Sequence, residues 1–493
     1  MSQLSMSDRW FVAAASAAAT GAWLGLSHPR LSALLIVPAF VFLAAVLTML
    51  RVPLERRRRE LPAGVGGAVC LGLAAVAGVL AQRAEAGLVA PPLGRVSGEV
   101  TLVADPTPLP RSGVRAEARY RHKRVAVVAY RSAAAALDRR LAGERISVVG
   151  DLSPPGIYEE RLRHRHLVGR LRVEVITDWR PGHRIATATN RLRRTLERGA
   201  EALPERQRGL FLGVIIGDDR DEAPDLVAAF RASGLGHITA VSGQNVAFVV
   251  AAVAPVLRRL QLAPRLVITL GLLAAFAMLT RAEPSVLRAT GMAAVAAYGT
   301  AIGRPTTGVR ALGLTVTVLI LSDPLLVTSL GFRLSVAGAA GIVLAAAPLQ
   351  RQLPGPEWVT APVAVMLAAQ LAVAPLLVGA FGSVALVSLP ANLAAAPAVG
   401  PSMAWGLVAG LVGGLIGGRA AVLLQLPTSF LLAWIEAVAR AGARWPLAHL
   451  AARDLALVGL VGGAATAARW WRRSPRENSG QDLGPATLNC HTQ

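Results

Sequence analysis

Acidic residues are scarce in this chain: 29 Asp and Glu stand against 51 Lys and Arg, leaving a formal net charge of +22 carried almost entirely by arginine. Basic excess of this kind belongs beside anionic lipid or nucleic acid. Charge of either sign is itself sparse, 16% of residues against 54% hydrophobic, with a mean hydropathy of +0.50, which excludes an ordinary soluble protein of 493 residues. Cysteine is nearly missing. Cys70 lies in an apolar run and Cys490 in the tail, so an intrachain disulfide framework is excluded. There is no glycine-rich phosphate loop with a lysine and no nucleophile grouping, so no catalytic residue is assigned. His164-x-His166 has the spacing that opens some zinc sites, but no Asp-His follows it. His237 has no Cys, Asp, Glu or second His at ligand spacing, so neither a metal nor a cofactor is expected.

What is present is a series of apolar runs long enough to cross a bilayer. Residues 10–27, 31–50 and 64–81 predict three spans, with four consecutive arginines at 56–59 between the second and third. Placing that cationic loop in the cytoplasm sends the segment after the third span to the outer face. Further spans are predicted at 237–257, 266–280, 285–302, 311–321, 330–349 and 362–378. Beyond them, 384–418 with Pro390, Pro397 and Pro401 reads as one broken span plus a re-entrant piece, or as two crossings, 434–445 as interfacial and 455–468 as a last span. The fold class is thus a polytopic α-helical membrane protein of about ten spans, with one insertion of different character.

That insertion covers residues 87–180 and reads as a small extracytoplasmic all-β, OB-like domain. Strands are expected at 96–102, 115–120, 124–130, 145–152 and 171–176, from the alternation of apolar and charged residues. Its middle hairpin gathers Arg115, Arg119, Arg121, Lys123 and Arg124 beside Tyr120 and Tyr130. Cations interleaved with aromatic faces suit a single nucleic-acid strand, by phosphate neutralisation and base stacking, and equally suit a solvated basic face. An amphipathic connector follows at 181–204, and 209–216, too short to span, reads as re-entrant or interfacial.

Polar groups concentrate in 230–247, which carries Ser233, Gly234, His237, Ser242, Gly243, Gln244 and Asn245 into a membrane-length apolar stretch. As one helix, Ser233, His237 and Gln244 would fall within about 40° of one face. The stripe would either bond neighbouring helices or line a solute path, unless the glycines break the helix. Arg281, Glu283 and Arg288 open the next span, with Glu283 an available acid for an arginine, and are candidates for a pore mouth.

The order of motifs resembles the ComEC family of competence proteins. The resemblance rests on 209–213, Gly217-Asp218, Phe230-Arg231-x-Ser233-Gly234-Leu235-x-His237, Ser242-Gly243, Pro284 to Arg288, Asp323-Pro324, Gly331 to Ser335, Gln370 and Asn392. It implies a channel in the bacterial cytoplasmic membrane that passes single-stranded DNA inward during natural competence, with the OB-like domain meeting the DNA outside. Membrane lipid, other competence proteins and further copies of the chain are the implied partners. Three departures stand out: Gln244-Asn245 where the family commonly has Leu-His, no cysteine pair in the β-domain, and no C-terminal metallo-β-lactamase-like domain. The last would make any nuclease a separate chain. The alternatives are a transporter of a smaller anionic or envelope substrate, or a non-transporting scaffold. The division expected is helices at 1–86, β-domain at 87–180, connector at 181–204, competence domain at 205–473 and a disordered tail at 474–493.

Overall fold

The computed structural model describes residues 6–27, 63–110, 112–239, 242–445 and 449–451. The span expected at 31–50, the arginines at 56–59, the span at 455–468, the tail and Cys490 lie outside the described residues.

Two N-terminal helices, α1 (Met6–Ser27) and α2 (Ala63–Ala86), pack side by side. Gly21 and Gly25 sit against the backbone of Ala74 and Gly78, where a side chain would collide. Small residues four apart permit that approach. Asp8 of α1 is buried and accepts from Arg310 Nε at 2.7 Å and from Thr307 at 2.9 Å.

The chain then forms β1 (Gly94–Leu102), β2 (Thr107–Leu109), β3 (Gly113–Tyr120), β4 (Lys123–Tyr130), helix α3 (Arg131–Asp138), β5 (Arg145–Ser153), helix α4 (Ile157–Arg161) and β6 (Leu167–Arg180). The strand order is β1-β5-β6-β4-β3-β2, and a further pairing of β1 with β3 closes the ladder on itself. β4 and β6 run parallel and the other pairs antiparallel. Alternate residues of β1, β3 and β5 point into one core: Val96, Val100, Ala116, Ala118, Ile146 and Val148. β4 departs from simple alternation, being buried from Val125 to Ala129; its Val125, Val127 and Ala129 share the core with Ala133, Ala134 and Leu137 of α3.

The remaining helices are α5 (Arg184–Ala200), α6 (Glu205–Ile216), α7 (Pro224–Ala232), α8 (Gly236–Thr239), α9 (Gly243–Leu257), α10 (Leu262–Leu279), α11 (Pro284–Ala301), α12 (Gly308–Ser322), α13 (Leu330–Gln350), α14 (Glu357–Phe381), α15 (Ser388–Ile416) and α16 (Gly418–Ala443). Among the described residues seven helices are long and apolar enough to cross a membrane: α1, α2, α10, α13, α14, α15 and α16. α9 and α12 are apolar but shorter.

Three expectations are corrected here. The proline-bearing segment after 384 is one continuous helix of 29 residues, α15, not a broken span. Pro390 lies in its first turn, where no donor is needed. Pro397 and Pro401 lie exposed within the helix without ending it. Residues 434–443 are not a separate interfacial piece but the end of the membrane-length α16. Residues 209–216 are not interfacial: α6 is buried from Gly209 to Ile216, at the centre of a core that runs from Leu196 to Ala439.

Candidate functional site

Two constellations bring together the polar residues that the apolar chain carries, and the first joins the β-domain to the helices. α5 follows β6 directly and is amphipathic, but one of its arginines faces inward: Arg193 is 2% exposed. Its Nη2 donates to Asp218 at 2.7 Å and lies 3.0 Å from Asp105 of the β-domain, while Nη1 donates to the carbonyl of Leu279 at 2.7 Å. Asp105 also accepts two bonds from Arg281, at 2.7 and 2.9 Å, and one from the amide of Ala142 at 2.8 Å. Arg281 holds a left-handed backbone, φ 59°, and reaches Asn190 as well, at 2.9 Å. A bulky residue in that region is strained, and here the strain aims a guanidinium at the β-domain.

A carboxylate so deeply buried would ordinarily hold its proton. At Asp105 burial pushes that way, but Arg193 and Arg281 outweigh it and bring the pKa down to about 2. Asp218 is held low in the same manner: burial opposes, and Arg220 and Arg193 prevail. Both acids are therefore ionised, and Arg193 is paired twice. Peripheral pairs extend the clamp: Arg194 to Glu144 at 2.6 Å, Arg165 to Glu117 at 2.8 Å and to Glu283 at 3.5 Å, and His166 to Asp323 at 3.1 Å. Asp323 also caps the short helix at 324–328, accepting from Leu325.

The second constellation is the polar stretch itself. α7 ends at Ser233, and Gly234 follows with φ +73°, beside Ser388, where a Cβ would collide. Leu235 returns its amide to Phe230 at 2.8 Å, closing the helix end as a glycine C-cap does. α8 is four residues, and α9 starts afresh after Ser242, whose extended backbone and hydroxyl, accepting from Gln244 at 3.3 Å, form an N-cap. The single helical stripe of Ser233, His237 and Gln244 does not exist. Ser233 is fully buried and donates to Phe230 at 3.2 Å; Asn245 is buried and donates to Val214 at 3.0 Å. His237 and Gln244 are exposed. Gly243 opens α9 against the guanidinium of Arg288.

With that geometry in place, the chain can be set beside known proteins. A family model described as Competence protein matches residues 214–474, more than half of the chain. The chain belongs to the ComEC family of competence proteins. It is 28% identical over 197 residues to ComE operon protein 3 of Bacillus subtilis (strain 168), a match covering 40% of this chain and 25% of that protein. The chain thus spans about a quarter of that relative's length. No solved structure matches it.

The ComEC-family motifs acquire distinct tasks. Arg281, Glu283 and Arg288 are held by different partners: Arg281 by Asp105, Glu283 by Arg165, and Arg288 by Ser335 at 2.7 Å. The expected availability of Glu283 to an arginine of its own segment is replaced by a pairing across domains. On the β-domain, Arg119, Lys123 and Arg124 line a cleft of about 460 Å³ together with Arg83, His122 and His166. Lys123 donates to the carbonyl of Gly87 at 2.6 Å, which fixes one wall. Arg115 is half-buried on β3, and Arg121 is exposed at the turn. Tyr120 is corrected: it is 8% exposed, in the β-domain core with Arg121 over its ring at 5.4 Å, so no base can stack on it. Tyr130 is 41% exposed, with Arg172 over its ring at 5.9 Å. Arg193, Asp105 and Asp218 carry no local signal of their role, since their partners lie far apart in the chain.

Proposed function

We propose that this chain passes single-stranded DNA across the cytoplasmic membrane into the cell during competence, and that its β-domain, OB-like and facing outward, receives the strand. The observation that carries the reading is the basic cleft between α2 and the β3–β4 hairpin, on a chain of the competence family. Its cations would neutralise successive phosphates, and Tyr130 beside Arg172 would offer a stacking face. The turn of that hairpin gives further support. Arg121 and His122 both hold positive φ, 45° and 67°, in a two-residue turn that favours Asn and Gly. Basic side chains kept there at a conformational cost point to a task for charge at the tip.

The strand order also supports the OB-like reading: a ladder closed by β1 and β3, one parallel pair, and a helix between β4 and β5. Gln244 and His237, the exposed polar groups of the signature stretch, are assigned to the path through the helices.

The test follows labelled DNA into a DNase-protected cytoplasmic fraction, at matched protein levels. Cells with the chain, without it, and with Arg119→Glu, Arg121→Glu and Lys123→Glu combined are compared. Protected DNA should vanish on deletion and fall at least about tenfold in the charge-reversed variant, since lost phosphate contacts weaken strand binding steeply at physiological salt. Import by the deleted cells at the normal level would overturn the reading.

A further inference from the structure

The arginines of α5 fall on two faces, and only Arg193 is spent on the buried acids Asp105 and Asp218. Arg191, Arg194 and Arg198, then Glu201 as the cap of the helix end, recur three, four and three residues apart and share another face. With Thr195 and Glu197 they line an open groove of about 580 Å³. Arg194 donates to Glu144 at 2.6 Å, and Glu197 lies 3.5 Å from Arg220. Arg198 bonds along its own helix, to Thr195 Oγ1 at 3.0 Å and to the carbonyl of Arg194 at 3.4 Å. Among the described residues the exposed guanidinium of Arg191 and the exposed carboxylate of Glu201 have no partner. Two guanidiniums without an acid, and one acid without a cation, thus face the same groove.

The groove also adjoins apolar surface of membrane length. The backbone of Thr195 packs on Gly414 of α15, and at that end of α15 Val412, Leu415 and Ile416 are 40, 74 and 55% exposed. α15 and α16 meet there, both long and apolar enough to cross a bilayer. Ends of such helices stand at headgroup level, where polar and apolar surroundings change over. A nucleic-acid strand suits the groove poorly. No aromatic side chain lines it for base stacking, and Glu197 and Glu201 would repel a run of phosphates. One phosphodiester with a cation beside it matches the charges that are left over.

We infer that this groove binds the headgroup of a membrane glycerophospholipid that joins a phosphodiester to a primary ammonium. Arg191 and Arg198 hold the phosphate, whose oxygens match the guanidinium fork. Glu201 accepts from the ammonium, and the acyl chains run along the exposed apolar end of α15. The site is independent of what the chain transports. α5 carries the lipid on one face and the Arg193 clamp to the β-domain on another.

The test uses the full chain, stripped of lipid in dodecyl maltoside and then given phosphatidylethanolamine and phosphatidylglycerol in equal amounts. Lipid kept after exchange into lipid-free detergent is counted by mass spectrometry of the intact complex. The unaltered protein should keep phosphatidylethanolamine over phosphatidylglycerol by about threefold to fivefold, the ratio that one exposed charge pair supplies. Glu201→Gln should bring the ratio close to one, and Glu201→Lys should reverse it. Arg191→Gln combined with Arg198→Gln should lower retention of both lipids by at least about tenfold. The three side chains are exposed, so each variant should melt within about 1 °C of the unaltered protein in detergent alone.

Retention of both lipids unchanged by the paired arginine substitutions would overturn the site. Equal retention of the two by the unaltered protein, or a preference that survives both changes at Glu201, would overturn the headgroup. Displacement of the lipid by a dT15 oligonucleotide that the arginine variant no longer binds would overturn the lipid as occupant and give the groove to a strand.

Discussion

Glu222 shows how one side chain can set the pH response of the loop between α6 and α7. Its Oε1 is buried without a hydrogen-bond partner. Burial, and then the charge of Asp219, raise its pKa to about 7. The folded state therefore binds this proton more tightly than the unfolded chain, whose carboxyl titrates near its ordinary 4.5. Stability from this group is complete below that value and is lost as pH rises through about 7. Glu222→Gln should match the unaltered protein at pH 5 and exceed it at pH 8, by on the order of 2–3 kcal/mol. Denaturant unfolding at the two pH values checks this, and parallel curves for the two proteins would refute it. Such a group is not legible in the sequence, where Glu222 is one acid among Asp218, Asp219 and Asp221. What turns Glu222 inward is Gly213 on the facing helix, which leaves room for its carboxylate and for nothing more.

At the scale of elements, the crossing of α5 over α15 depends on residues without bulk. Gly199 meets the carbonyl of Gly410, and Gly414 meets that of Thr195, so a side chain at either would strike backbone. Gly414→Val should cost more than the 1–3 kcal/mol usual for overpacking, because backbone cannot swing aside. Gly271→Ala on α10, with nothing within 4 Å of the new methyl, should be neutral or stabilising by up to about 1 kcal/mol. Melting temperatures of the two variants separate the cases, and equal losses would mean that the crossing is not tight. The elements themselves were legible to different degrees. The β-strands could be placed because half-burial imposes a period of two, and the long apolar helices because membrane length demands unbroken hydrophobicity. The break between α7 and α9 is one of the two readings that the glycines of this stretch leave open, and Gly234 takes it, with φ +73° at the end of α7. Prolines suggested a break in α15, yet the helix runs through Pro397 and Pro401.

Across the whole molecule, the β-domain is held to the helices by charge. Arg193→Gln should leave Asp105 and Asp218 short of a partner in a buried place and destabilise the protein by about 3–5 kcal/mol. The loss should also appear as faster protease cleavage near residues 180–184, where the β-domain joins α5. Cleavage and stability both unchanged would show that the peripheral pairs suffice. In the sequence the domain's extent could be read from a change of hydrophobic period, whereas its anchorage could not, because Asp105, Asp218 and Arg281 meet only in three dimensions. The core cluster carries one more consequence. The family match begins at residue 214, yet Leu196, Ala200, Leu203, Leu210 and Phe211 are buried in the same cluster as Met403 and Leu432. A gene fragment cut at the family boundary would strip a packed layer from its own interior and present that apolar surface to solvent or detergent; a recombinant piece needs to start before α5.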